Sequence, residues 1–148
     1  MYLCYDIRGI QSFIFQIPRL RYIVGGSALI DRFDREDVPA LAKANGWHLI
    51  SSGGGKGAFE CEQPQADAIQ DSLTSKAHGF GADIRFGRHE DYSEAAHCAD
   101  RLFPYLPVNL DGHPCRESGI YPVAHGDVHE VVKRRDWSSG ELMSRWFE

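Results

Sequence analysis

Three groups of residues in this sequence have types and spacings suited to chemistry. The first is Ser51 to Gly57, Ser-Ser-Gly-Gly-Gly-Lys-Gly. Glycines permit positive φ and let a ligand come up against the backbone, and consecutive N–H groups in such a turn make a concavity that suits an anion. A plain hairpin tip is the steric alternative, since tight turns favour glycine without any ligand. The second is Asp6, which closes the apolar run from Tyr2 and so places a carboxylate at a strand end. The third is His113-x-Cys115 followed by His125 and His129, an H-x3-H pair. Such ligands can hold zinc tetrahedrally, with solvated loop histidines as the alternative.

The elements that must position these groups follow from periodicity. Residues 2–7 read as a strand buried on both faces, and Ile10, Phe13 and Ile14 fall at helical spacing after Gly9. Pro18 interrupts that helix. Ser27 is expected to cap a second helical segment over residues 28–33, and a short segment over 37–45 closes at Asn45-Gly46. Residues 47–50 and 58–62 read as two strands with the glycine stretch between them. Pro64 opens a helix through residue 76 with Ala68, Ile69 and Leu73 as its apolar stripe, and residues 82–88 alternate as a half-buried strand. A helix over 91–106 presents Ala95, Cys98, Ala99 and Leu102, and a last strand is expected over 128–134.

This order of strand, helices, hairpin, helix, strand and helix predicts an α+β, ferredoxin-like antiparallel sheet with helices on one face, the arrangement of palm domains in polymerases and nucleotide cyclases. It places residues 1–106 in a palm-like domain and 107–148 in an irregular, turn-rich extension. Catalytic palms hold two metal ions about 3.5–4 Å apart with carboxylates from the first strand and the hairpin. Asp6 suits the first of these positions. The hairpin carries Gly53-Gly54-Gly55-Lys56 where its acids would stand, and an ammonium repels hard cations, so two-metal catalysis by this domain alone is not expected.

The segments Asp6-Ile7-Arg8-Gly9-Ile10-Gln11-Ser12-Phe13-Ile14-Phe15, Leu20-Arg21-Tyr22-Ile23-Val24-Gly25-Gly26-Ser27-Ala28-Leu29-Ile30 and Ser51-Ser52-Gly53-Gly54-Gly55 resemble the first, degenerate palm domain of the CRISPR polymerase family. That family supplies the large subunit of type III CRISPR effector complexes. The resemblance covers about residues 3–62. It implies two facing palms that bind a pair of ATP molecules and join them into cyclic oligoadenylates, with catalysis in the second palm. This chain would then be the non-catalytic, ATP-binding half, using Mg2+ with the nucleotide. The hairpin N–H groups of Gly53, Gly54 and Gly55, with Ser52 and Lys56, would meet phosphates or ribose. Asp6, Gly9 and Gln11 would lie beside that pocket. Partners implied are a second palm domain, other effector subunits and crRNA. The His-Asp pair of the family's nuclease is absent near the N-terminus.

A charge of −5 over 148 residues argues against a generally basic nucleic-acid coat. Arg8, Arg19 and Arg21 suit either phosphate or a solvated helix face. Trp47, Trp137 and Trp146 read as packing anchors. The spacing of Cys4, Cys61, Cys98 and Cys115 contains no CxxC pair and fits reduced thiols. Without a signal peptide or a membrane span, the chain reads as cytoplasmic with no membrane partner. The helix start at Ser138-Ser139-Gly140-Glu141 close to the last residue suggests a piece of a longer protein. Two other readings stay open: a structural palm that contacts other subunits or the crRNA complex, and a stand-alone defence palm that dimerises.

Overall fold

The computed structural model describes residues 1–100 and the backbone of two short strands, His113–Pro114 and Pro122–Val123. Its elements run β1 (Tyr2–Ile7), α1 (Ile10–Phe15), α2 (Leu20–Arg32), a π-helical segment (Phe33–Asp37), α3 (Val38–Asn45), β2 (His48–Gly53), β3 (Lys56–Glu60), α4 (Gln63–Gly79), β4 (Ile84–His89) and α5 (Tyr92–Asp100). The two short strands, β5 and β6, pair antiparallel. The chain divides into two compact units. One comprises residues 1–10 and 30–102, the other 11–29 and 103–148. The expected strand over 128–134 and the zinc set His113, Cys115, His125 and His129 lie outside the residues whose side chains are described.

The first unit holds a four-stranded antiparallel sheet in the order β2-β3-β1-β4. Each neighbour of β1 is antiparallel to it, so β1 with β2, and β3 with β4, form two split βαβ crossovers. This is the α+β, ferredoxin-like palm arrangement. The strand β1 is central because it is apolar on both faces: Leu3, Cys4, Tyr5 and Ile7 are all buried.

Alternation along β1 assigns two faces to the sheet. Leu3, Tyr5 and Ile7 point to one side, where Phe59 and Ile69 and Leu73 of α4 are also buried. There Tyr5 meets Phe33 edge to face with ring centroids 5.9 Å apart, and Phe33 meets Phe80 at 5.7 Å. Trp47 packs its ring against Phe59 at 6.4 Å, as expected of an anchor. Helix α4 starts at a proline and a capping interaction in which the Glu62 N–H donates to Gln65 Oε1 at 3.2 Å. Its buried stripe is Ala66, Ile69, Leu73 and Ala77. Ala68 is exposed, because a stripe advancing by three and four residues from Ile69 returns to Ala66 and leaves Ala68 off the face.

The second face departs from the expected single layer of helices. Cys4 and Ala58 point to it and are covered by Ala95 and Ala99 of α5. The helix comes close because β4 offers Gly87, where a Cβ would fall 2.5 Å from Ala99 N. Tyr92 of α5 lies edge to face against Tyr2 at 5.8 Å.

Ser27 does not cap a helix. It lies inside α2, which runs unbroken over 13 residues through Gly25 and Gly26. The buried positions Tyr22, Gly25, Gly26 and Ile30 keep helical spacing through the glycines, and that packing offsets a cost of about 1 kcal/mol per glycine. Gly46 stops α3 as expected, with φ of 68° and its N–H on Ala42 O. In the second unit, Phe13, Ile17 and Tyr22 are buried.

Candidate functional site

The turn between β2 and β3 is shorter than the glycine stretch. The strands extend to Gly53 and Lys56, which pair directly, and leave Gly54 and Gly55 as a two-residue loop. Both have positive φ, 65° and 79°, which a type I′ hairpin requires. Gly55 is also crowded, since a Cβ there would run into the Ile10 side chain. Gly57 has no room either: a Cβ would lie 2.6 Å from Ser51 O and would enter the Tyr5 ring. Gly53 differs from these. Its φ is not positive and a Cβ would meet nothing within 4 Å. Turn geometry and packing thus account for Gly54, Gly55 and Gly57 and leave Gly53 without a steric requirement.

Gly53 and Lys56 border a cleft of about 620 Å³ on the α5 face, together with Asp6 and, from α5, Tyr92, His97 and Asp100. Lys56 stands directly across from Asp6 in the β1–β3 register. Its ammonium lies 3.7 Å from Asp6 Oδ2 and 3.4 Å from Asp100 Oδ1. Burial holds the Asp6 carboxyl above its ordinary value, against the pull of Lys56, and the hydrogen-bonded Asp100 carboxyl raises it further. Asp100 was not expected at the site. Helical periodicity in α5 marks Ala95 and Ala99 as buried, and the next residue after Ala99 reaches the cleft rim only because the helix crosses the sheet at Gly87.

The ammonium of Lys56 stands between the two carboxylates. Among the described residues, no group of three or more His, Cys, Asp or Glu side chains could hold a metal ion.

On the opposite face the turn is held by Asp34 of the π-helical segment, which is 2% exposed. The Gly55 N–H donates to Asp34 Oδ2 at 2.6 Å, and the Tyr5 hydroxyl donates to Oδ1 at 3.1 Å. Ser52 Oγ sits 2.6 Å from the Tyr5 hydroxyl and 2.9 Å from the Asp34 carbonyl oxygen. The Gly55 carbonyl accepts the Ile7 N–H at 2.7 Å. At Gly55 the N–H expected to meet a phosphate is therefore already taken by the Asp34 carboxyl. Ser52 turns its hydroxyl into that network. Burial pushes the Asp34 carboxyl up, while the Gly55, Tyr5 and Ser52 donors oppose the shift. Sequence reading missed Asp34 because it is one of several acids in Asp31-Arg32-Phe33-Asp34-Arg35-Glu36-Asp37; only the π register turns it inward beside Phe33.

The remaining expected residues are dispersed. Gly9 has φ of 58° in the turn after β1, where the Arg8 N–H meets Asp83 O at 2.8 Å. Gln11, Arg19 and Arg21 belong to the second unit. Arg21 lies over the Tyr22 ring, 5.5 Å from its centroid. Cys4, Cys61 and Cys98 are free thiols. No described helix is long and apolar enough to cross a membrane.

No family model matches this sequence, and no curated protein matches it significantly.

Proposed function

We propose that this chain is the non-catalytic palm of a paired nucleotide cyclase, of the kind found in the type III CRISPR large subunit, and that it binds ATP in the cleft between the hairpin and α5. The observation that carries this reading is Lys56 facing Asp6 across the palm surface, where a catalytic palm needs a second acid. Two-metal chemistry requires the carboxylates to be open to cations, and here an ammonium neutralises them. Gly53 leaves open backbone at the cleft wall, Tyr92 supplies an aromatic ring for a base, and Lys56 supplies a donor for phosphate. Mg2+ would enter with the nucleotide, held by phosphate oxygens. This palm then orients one ATP, and a partner palm with its own acids supplies the catalysis that forms a cyclic oligoadenylate.

Calorimetry tests the reading. The chain is expected to give saturable heat with ATP and Mg2+, with a Kd in the range of roughly 10 μM to 1 mM for half a site. Lys56→Ala is expected to weaken binding about tenfold, and Gly53→Val to weaken it without lowering the melting temperature. A flat isotherm at several millimolar ATP, both alone and with the catalytic palm present, sinks it. The same result favours a second reading, a structural palm without nucleotide, for which the internal pairing of Lys56 with Asp6 and Asp100 is the supporting observation.

A further inference from the structure

We propose that Asp34 is a positioning residue for the cleft: by holding the Gly55 N–H from the helical face, it fixes the turn so that Gly53 and Lys56 are presented on the opposite face. The geometry behind this is a set of restraints on consecutive peptides. The Gly55 N–H is fixed by Asp34 at 2.6 Å and the Gly55 carbonyl by Ile7 at 2.7 Å, so the planes on both sides of this residue cannot rotate. Lys56 follows in the chain, and its backbone orientation is set by the peptide plane it shares with Gly55.

In a two-residue turn of two glycines no side chain helps to choose the conformation, and the strand pairing and the restraints on Gly55 must do so. Glycine is the most permissive residue, and an unrestrained Gly-Gly tip samples mirror-related states. Nothing lies within 4 Å of the Gly54 Cβ position, so packing does not select there. A carboxylate hydrogen bond to a backbone N–H is stronger than one between neutral groups and suits the task.

The cost of burying Asp34 supports a purpose beyond stability. Its carboxylate is met by neutral donors, Tyr5 from β1, Ser52 from β2 and the Gly55 N–H, and the charge felt there is the Asp31 carboxylate of α2, which opposes ionisation. Burying a carboxylate among neutral donors is costly. The bonds that Asp34 accepts from the Gly55 N–H and the Tyr5 hydroxyl offset that cost, and the first of them is the hold on the turn.

The binding arm of the test rests on the nucleotide reading of the cleft; the spectroscopic arm does not. In the NMR spectrum of the whole chain, the Gly55 amide proton is expected downfield of the other glycine amides. Its shift should titrate together with the Asp34 carboxyl carbon at one midpoint. Separate midpoints overturn the proposal without any variant, which decides the matter if substitutions at Asp34 do not fold.

In Asp34→Asn, hydrogen exchange at Gly55 is expected to speed by about tenfold or more relative to amides of β1 and β3. ATP affinity should fall about threefold to tenfold, whereas Leu73→Ala, which loosens the core on α4, leaves it unchanged. Wild-type affinity in Asp34→Asn overturns the positioning role. If the wild-type chain itself binds no ATP, the nucleotide reading fails, and the Gly53 and Lys56 amide resonances decide instead. Displaced by Asp34→Asn and unmoved by Leu73→Ala, they uphold the role; unmoved by both, they overturn it.

Discussion

At the scale of the residue, Asp6 and Asp34 pose the same problem on opposite faces of one sheet and solve it differently. Asp6 has a cation beside it and a second carboxylate within hydrogen-bond reach; Asp34 is met, among the described residues, by neutral donors. Both carboxyls are raised by burial, so the folded state holds their protons more tightly than the unfolded chain does. Each therefore contributes stability that is fully present below the ordinary carboxylate value and is lost as pH rises through the folded value. The difference in unfolding free energy between wild type and Asp6→Asn is expected to fall as pH rises from about 4 toward neutrality. Urea titrations at a series of pH values measure it, and a difference that is flat or rises with pH contradicts the assignment. Lys56 is itself more than half exposed, so its ion pairs contribute little to folding.

At the scale of the element, the informative feature is α5. The expected layer of helices on one side belongs to the crossovers, while α5 closes the other face along an alanine seam. Gly87 permits this approach, because an added Cβ would press on the backbone of Ala95 and Ala99 as well as on Cys98. Backbone cannot rotate away as a side chain can. Gly87→Ala is therefore expected to destabilise the chain by about 1–3 kcal/mol, and it should also loosen Asp100 at the cleft rim. Chemical denaturation reads the first effect, and a smaller upward shift of the Asp6 carboxyl in an NMR titration reads the second. A Gly87→Ala chain as stable as wild type would mean that α5 does not lie on β4 at this distance. The hairpin shows the complementary case. Its existence and approximate place were legible from two apolar runs separated by glycines. Its length was not, because Ser51, Ser52 and Gly53 continue β2 by cross-strand pairing, a long-range interaction that local composition does not report.

At the scale of the whole molecule, the sheet order makes β1 the strand on which the first unit depends. It is bonded on both sides and buried on both faces, whereas among the described residues β2 lies at the edge of the sheet beside β3. Native-state hydrogen exchange is expected to rank β1 amides such as Tyr5 among the slowest, opening only with global unfolding. The amides of β2 that point outward should exchange orders of magnitude faster. Equal protection in β1 and β2 would contradict the order. The proposed paired palm belongs to this scale as well, and the calorimetric comparison with and without the partner palm addresses it.

Local sequence made legible the burial of β1 on both faces, Ile69 and Leu73 of α4 and Ala95 and Ala99 of α5 as buried positions, the stop at Gly46, the glycine turn and the carboxylate of Asp6. These follow from periodicity and from the conformational limits of single residues, which act locally. Tertiary packing sets the rest: Ser52 faces inward, Asp34 fills the Gly55 amide, Asp100 meets Asp6 and Lys56, and helices cover both faces. Each of these depends on which strands pair, in what register, and how closely a helix approaches. Those outcomes are set by packing among residues far apart in the chain: Tyr5 with Phe33 and Ser52, Gly87 with Ala99, Lys56 with Asp6.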